Sequence, residues 1–145
     1  MIEMLNPSNM DACADLAMQL WNEVPRANLY REISVLDKER AAMMLYKSHD
    51  GAYQGFIMVT LRHDYVEGSE TSPVGYIEGI YVTEPYRRKG VAAQLVAAAE
   101  AWAKEKGCTE MGSDSELENQ MNIDFHKAIG FTEAERLVCF IKKLK

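Results

Sequence analysis

Apolar positions along the chain switch between helical and strand-like spacing, and the switches mark its elements. Ile2 to Leu5 reads as a short strand. Cys13, Leu16, Ala17, Leu20 and Trp21 then recur at steps of three and four, the spacing of a helix with one buried stripe. Ser8, with Asp11 three residues on, resembles a capping box at its start, and Pro25 stops it. A second helical piece is predicted over Leu29 to Glu39. Met43 to Ser48 and Tyr53 to Arg62 read as strands joined by an Asp50-Gly51 turn. After a polar loop, His63 to Pro73, the run Val74 to Val82 forms the main strand. An alanine-rich helix follows from near Val91 to a Gly107 cap. Glu110 to Ser113 is a fifth strand, and Glu118 to Ile129 a helix closed by Gly130. Two last strands are expected near Phe131 to Arg136 and Val138 to Lys142. No repeat, low-complexity tract or linker interrupts the order. The pattern predicts a single α/β domain over residues 1–145, a central mixed β-sheet flanked by helices.

Composition narrows the class. The chain has 145 residues, 48% of them hydrophobic, enough for one core. No apolar run is long enough to cross a membrane, and Met1-Ile2-Glu3-Met4 lacks a basic-then-apolar leader. Cys13, Cys108 and Cys139 are scattered with no C-x-x-C, which favours reduced thiols and a cytoplasmic protein. His49, His63 and His126 are equally dispersed, so no metal site is expected. A net charge of −6 disfavours nucleic-acid binding and agrees with a cationic substrate.

The most specific chemistry lies at Arg87-Arg88-Lys89-Gly90-Val91-Ala92, between the main strand and the alanine-rich helix. A basic, glycine-containing turn at a helix N-terminus is an anion cradle: unpaired N–H groups and the helix dipole both favour negative charge there. Gly90 removes a Cβ from the approach, and Ala92 keeps the next turn open. A phosphate or pyrophosphate is the expected ligand. Neither G-x-x-x-x-G-K-[ST] nor G-x-G-x-x-G is present, so the common nucleotide loops are excluded.

The six residues resemble the [QR]-x-x-G-x-[GA] signature of the GNAT N-acetyltransferases, whose loop holds the pyrophosphate of acetyl-CoA. Gly79-Ile80-Tyr81-Val82 before the loop, Glu110 to Ser113 after the helix, and the spacing of Asn119, His126 and Gly130-Phe131 extend the likeness over Val74 to Phe131. The resemblance implies the GNAT fold and acetyl-CoA as acetyl donor, with no metal. It implies cofactor contacts from Ile80, Tyr81 and Val82, from Arg88, Lys89, Gly90, Val91, Ala92 and Ala93, and from Asn119. His126 fills the place where many members carry a tyrosine thought to protonate the leaving thiolate, and an imidazolium can also donate a proton.

Glu78 stands in an otherwise apolar strand, where a carboxylate is costly unless paired or opened onto a cleft. Alternation puts it on one face with Tyr76 and Ile80, unless a bulge at Gly79 changes the register. Two readings stay open, a surface ion pair and a cleft carboxylate that binds or deprotonates an amine. Asp114, Glu116 and Glu118 cluster beyond the fifth strand, where acids also cap helices.

Within that family the chain resembles the aminoglycoside 6'-N-acetyltransferases. The segments that carry this are Leu20-Trp21, Arg62-His63-Asp64-Tyr65-Val66-Glu67-Gly68, Thr71-Ser72-Pro73-Val74 and Ile77-Glu78-Gly79-Ile80-Tyr81-Val82. Gly107-Cys108-Thr109-Glu110-Met111, Ser113-Asp114 and Gly130-Phe131-Thr132-Glu133-Ala134-Glu135-Arg136 complete them. The likeness implies Trp21, Tyr65, Glu78, Asp114 and Glu135 as walls and acids of an aminoglycoside site, with Glu78, Asp114 and His126 as catalytic candidates. It also implies a homodimer. A GNAT enzyme for another primary amine, and a non-catalytic acetyl-CoA-binding module, are the competing readings.

Overall fold

The computed structural model describes residues 1–145. Five strands and four α-helices follow in the order β1 (Ile2–Met4), α1 (Met10–Leu20), α2 (Arg26–Ser34), β2 (Ala41–Lys47), β3 (Tyr53–Arg62), β4 (Val74–Val82), α3 (Val91–Glu105), β5 (Met111–Gly112) and α4 (Gln120–Ala128). A 3₁₀ turn at Glu84–Tyr86 links β4 to the loop before α3. The sheet runs β1-β2-β3-β4-β5, antiparallel through β4 and parallel between β4 and β5. This is the mixed sheet that the pattern predicts.

Both faces of the sheet are buried, which is why Ala41 to Leu45 is apolar at every position. On one face α3 packs Val91, Leu95, Val96, Ala99, Trp102 and Ala103 against Ala42, Met44, Ile57, Val59 and Ile77. On the other, α1 and α2 cover Met43, Leu45 and Phe56 with Cys13, Leu16, Ala17, Leu29 and Ile33. Tight clearance demands glycine where α1 meets β4: a Cβ on Gly79 would lie 2.5 Å from the Trp21 ring and 2.8 Å from Leu20.

Local chemistry moves several boundaries. Asn9, not Ser8, precedes α1, and there is no capping box. The Asn6 carboxamide instead accepts from the Ser8 and Asn9 backbone N–H groups. α1 ends at Leu20, before Pro25 is reached, and Pro25 instead starts α2, since a fixed φ suits a helix entry; α2 therefore spans Arg26–Ser34 rather than 29–39. The two strands expected after Phe131 do not form. Residues 131–145 carry no secondary structure, with Val138, Phe140 and Ile141 exposed by 78% or more. Leu137 to Ile141 is an unbroken apolar run of strand length, but a strand needs a partner edge.

Candidate active site

The loop between β4 and α3 has cradle geometry. Gly90 takes φ +80° and Arg88 φ +61°, so two left-handed residues flank Lys89 in the turn that leads into α3. For Arg88 this conformation costs of order 1–2 kcal/mol. Such strain in a non-glycine residue is a mark of functional backbone. A Cβ on Gly90 would meet no atom within 4 Å, so the space beside it is open for a ligand. The Arg87 guanidinium donates to the Val82 carbonyl at 2.8 Å and lies over Tyr81, which fixes the loop's root to the end of β4.

Pairing between β4 and β5 covers only Gly75–Met111 and Tyr76–Gly112. Beyond Tyr76 that edge of β4 is unpaired, and Ile80, Tyr81 and Val82 lie along it, leading to the cradle. An opened edge beside an anion cradle suits a long ligand with a phosphate end and an amide-bearing arm.

Glu78 sits on a β-bulge. Met58 pairs with Gly79 and Val59 with Ile77, so Glu78 is the unpaired extra residue. The bulge keeps Glu78 on the α1/α2 side with Tyr76 but turns Ile80 to the α3 side, where it joins the other core. The shared face of Tyr76, Glu78 and Ile80 is thereby corrected: only the first two share it.

Arg62 is the residue that the sequence reading missed. Its Nε donates to one Glu78 oxygen at 2.9 Å and its Nη2 to the other at 2.8 Å, a bidentate pair. The Thr60 hydroxyl donates to the same carboxylate at 2.6 Å. The guanidinium also lies 3.5 Å above the Tyr76 ring centre, and the Tyr76 hydroxyl donates to Asp114 at 2.8 Å. Glu78 and Asp114 are thus two ends of one chain of contacts. Burial favours the neutral Glu78 carboxyl, yet the Arg62 and Thr60 hydrogen bonds outweigh it and hold the group below its usual value of 4.5. Burial, and then the bond to Asp114, push the Tyr76 hydroxyl up.

Trp21, Glu78 and Thr60 line one cavity of about 430 Å³ under α1 and α2, with Val24, Leu29 and Met58. Trp21 packs on Phe56 at 5.6 Å. Tyr65 is exposed on the β3–β4 loop, its hydroxyl accepting from Gly68 N–H at 3.3 Å. Glu135 lies in the exposed C-terminal segment, and no hydrogen bond or ion pair joins it to these residues. Asn119 caps α4, accepting from Asn122 N–H at 3.1 Å, so its carbonyl oxygen is engaged within the chain.

His126 is held on three sides. Nδ1 lies 2.7 Å from the Asn122 carbonyl and must donate there, while Nε2 meets the Ser113 hydroxyl at 2.8 Å. The rings of Phe125 and Phe131 stand edge-on to it at 5.7 and 5.2 Å. This is a residue that ties α4 to β5. His126→Ala is expected to cost less than tenfold in turnover, below about 1.4 kcal/mol of barrier. A thousandfold loss of acetyl transfer with the fold and donor affinity intact would make it a general acid.

The family model for the Acetyltransferase (GNAT) family matches residues 8–131. The chain belongs to the GNAT acetyltransferases. An aminoglycoside N(6')-acetyltransferase type 1 of Serratia marcescens is 39% identical over 145 residues, 99% of each chain. Among solved structures, AAC(6')-Iy in complex with the bisubstrate analogue CoA-S-monomethyl-acetylneamine superposes with a TM-score of 0.95. It shares 35% identity and covers 99% of this chain and 98% of its own. The 6'-N-acetyltransferase AAC(6')-IG from Acinetobacter haemolyticus gives 0.91 at 36% identity, covering 100% and 99%. The GNAT fold and the likeness to 6'-acetylating enzymes are as the sequence motifs imply. No helix is long and apolar enough to cross a membrane.

Proposed function

We propose that this GNAT enzyme transfers the acetyl group of acetyl-CoA to the 6'-amine of aminoglycosides, a change that removes a cationic charge and so confers resistance. The observation that carries the substrate class is near-complete coverage by relatives named for that reaction, joined to a site with two carboxylates. In this reading Arg88 to Ala93 hold the pyrophosphate, and the free edge of β4 at Ile80, Tyr81 and Val82 receives the acetyl-bearing arm. Trp21 and Tyr65 pack on the sugar, and Asp114 binds an ammonium group.

The chemistry is direct attack. The neutral amine's lone pair forms the C–N bond at the thioester carbonyl, the C=O becomes an oxyanion, and its collapse breaks the C–S bond and releases thiolate. Glu78, held below its ordinary value of 4.5, is too acidic to deprotonate a free ammonium, whose pKa near 8–9 lies far above it. Once the C–N bond forms, the nitrogen's proton is far more acidic. A weak carboxylate, or a water it holds, then suffices to take it.

The test is turnover with acetyl-CoA on two aminoglycosides that differ only in 6'-NH₂ against 6'-OH. Acetylation of the amine alone supports the reading, and equal turnover contradicts it. Turnover of simple primary amines but no aminoglycoside would favour the broader amine reading. Tight acetyl-CoA binding with no turnover would favour a sensor.

A homodimer is the assembly we infer. Leu137, Val138, Phe140, Ile141 and Leu144 are all exposed in the monomer, a larger apolar display than a lone domain leaves. The outer edge of β5 is unpaired, and a cavity of about 370 Å³ lies beside it, lined by Val66, Gly68, Met111, Gly112, Phe131 and Ala134. A second copy's C-terminal arm fits such an edge as an added strand. Glu135 lies on that arm, so its substrate role depends on where the arm packs. Sedimentation should give a dimer for the full chain and a monomer after deletion of residues 137–145. Acetyl-CoA supply and three free cysteines support the cytoplasmic reading.

A further inference from the structure

A carboxylate at the reacting centre presents a problem that Arg62 addresses. A lone Glu78 beside the acceptor would hold the arriving amine as ammonium, which has no lone pair to attack with. Like charge nearby disfavours the charged amine, and opposite charge favours it. The groups that face this point are Glu78 and Tyr76 on β4, Asp114 beyond β5, and Glu32 on α2 in the wall of the same cavity. Arg62 is the cation among them.

We propose that Arg62 is a positioning residue for acetyl transfer, its guanidinium offsetting the Glu78 charge so that the bound amine is released as the neutral nucleophile. Geometry supports this twice over. The bidentate pair fixes both Glu78 oxygens, so the carboxylate is oriented as well as neutralised. The Arg62 Cζ lies 3.5 Å from the Tyr76 ring centre, and the guanidinium cannot swing away without losing that contact. Register alone brings these residues together: Arg62 pairs with Val74 and Thr60 with Tyr76, and the bulge then presents Glu78 to the same side.

The inference rests on the proposed acetyl transfer to an amine at Glu78. It predicts a displaced pH profile. A unit charge roughly 6 Å from the amine, at an effective dielectric of about 20, moves its pKa by about one to two units. In Arg62→Gln the acid limb of single-turnover acetyl transfer to the 6'-amine should therefore move up by about one to two pH units. The rate at pH 7 should fall about ten- to a hundredfold, and the deficit should shrink steadily as the pH rises to 9.5 and beyond. KM for the cationic substrate should fall or hold, because an uncompensated carboxylate binds ammonium better. Arg62→Lys keeps the charge and should return the limb to within about half a unit of wild type.

Thermal melting and acetyl-CoA affinity, measured on each variant, confirm that the fold and cradle are intact. A rate lowered equally at every pH in both variants would make Arg62 merely structural and overturn the proposal. So would a lower KM with an unmoved limb, which would mean that the guanidinium only fills the ammonium's place. An inactive wild-type protein overturns the underlying reading of the site; an active one with an unaltered Arg62→Gln profile overturns this proposal alone.

Discussion

Glu78→Gln is expected to lower the maximal rate of acetyl transfer by about 10²–10⁴-fold, the range of a general acid–base contribution. The amide can neither accept the proton from the acylated nitrogen nor answer the Arg62 guanidinium. Glu78 is held below its ordinary value of 4.5, so it is ionised throughout pH 6–9 and no limb in that range belongs to it. The rise of rate with pH reports the amine. Removing the carboxylate leaves Arg62 uncompensated, so the acid limb should move to lower pH even as the plateau drops, the reverse of Arg62→Gln. A plateau within threefold of wild type would remove Glu78 from the reaction.

Gly90→Val is the second large effect. The residue must hold φ +80° at the entry to α3, a conformation in which a β-branched side chain is strained. Its Cβ would also project into the open space that we propose receives the pyrophosphate. Acetyl-CoA affinity should fall ten- to a hundredfold, about 1.4–2.8 kcal/mol. Gly90→Ala should lose less. No neighbour lies within 4 Å, so the fold should survive both changes and calorimetry can read affinity directly. Unchanged affinity for the valine variant would mean that this turn is not the cradle.

The turn before α3 and the sheet were legible because their causes are local. A basic turn with Gly90 before an alanine-rich helix states its geometry in six adjacent residues, and the switch from strand to helix spacing frames it. The bulge was half legible: Gly75 and Gly79 made it plausible, but only the pairing of Met58 with Gly79 fixes Glu78 as the extra residue. Arg62 was illegible as a partner, since it stands sixteen positions from Glu78 and nothing local joins them. The signal lay in the hairpin register. Counting back from the His63–Pro73 loop sets Arg62 against Val74 and Thr60 against Tyr76, two residues from Glu78. The C-terminal strands failed for a different reason. Their apolar pattern is that of strands, but β5 pairs only two residues with β4, and its outer edge takes no strand from residues 131–145 of its own chain.

Asn119 and His126 show how family spacing and local chemistry diverge. Both fall at the spacing the motif implies, yet Asn119 spends its carbonyl on the α4 cap and His126 spends its ring nitrogens on Asn122 and Ser113. Position in a motif fixes where a residue stands. The contacts it makes decide what it is free to do.

In the proposed reaction the bulged Glu78, paired with Arg62, serves one amine of a many-amine sugar. The most direct measurement is the site of the acetyl group in the product made from an aminoglycoside with several primary amines. Two-dimensional NMR correlating the acetyl carbonyl with the adjacent sugar proton reads it without a kinetic model. A single monoacetylated product with the acetyl on the 6'-nitrogen is expected; a mixture of positions, or acetylation at another amine, would contradict the proposed function.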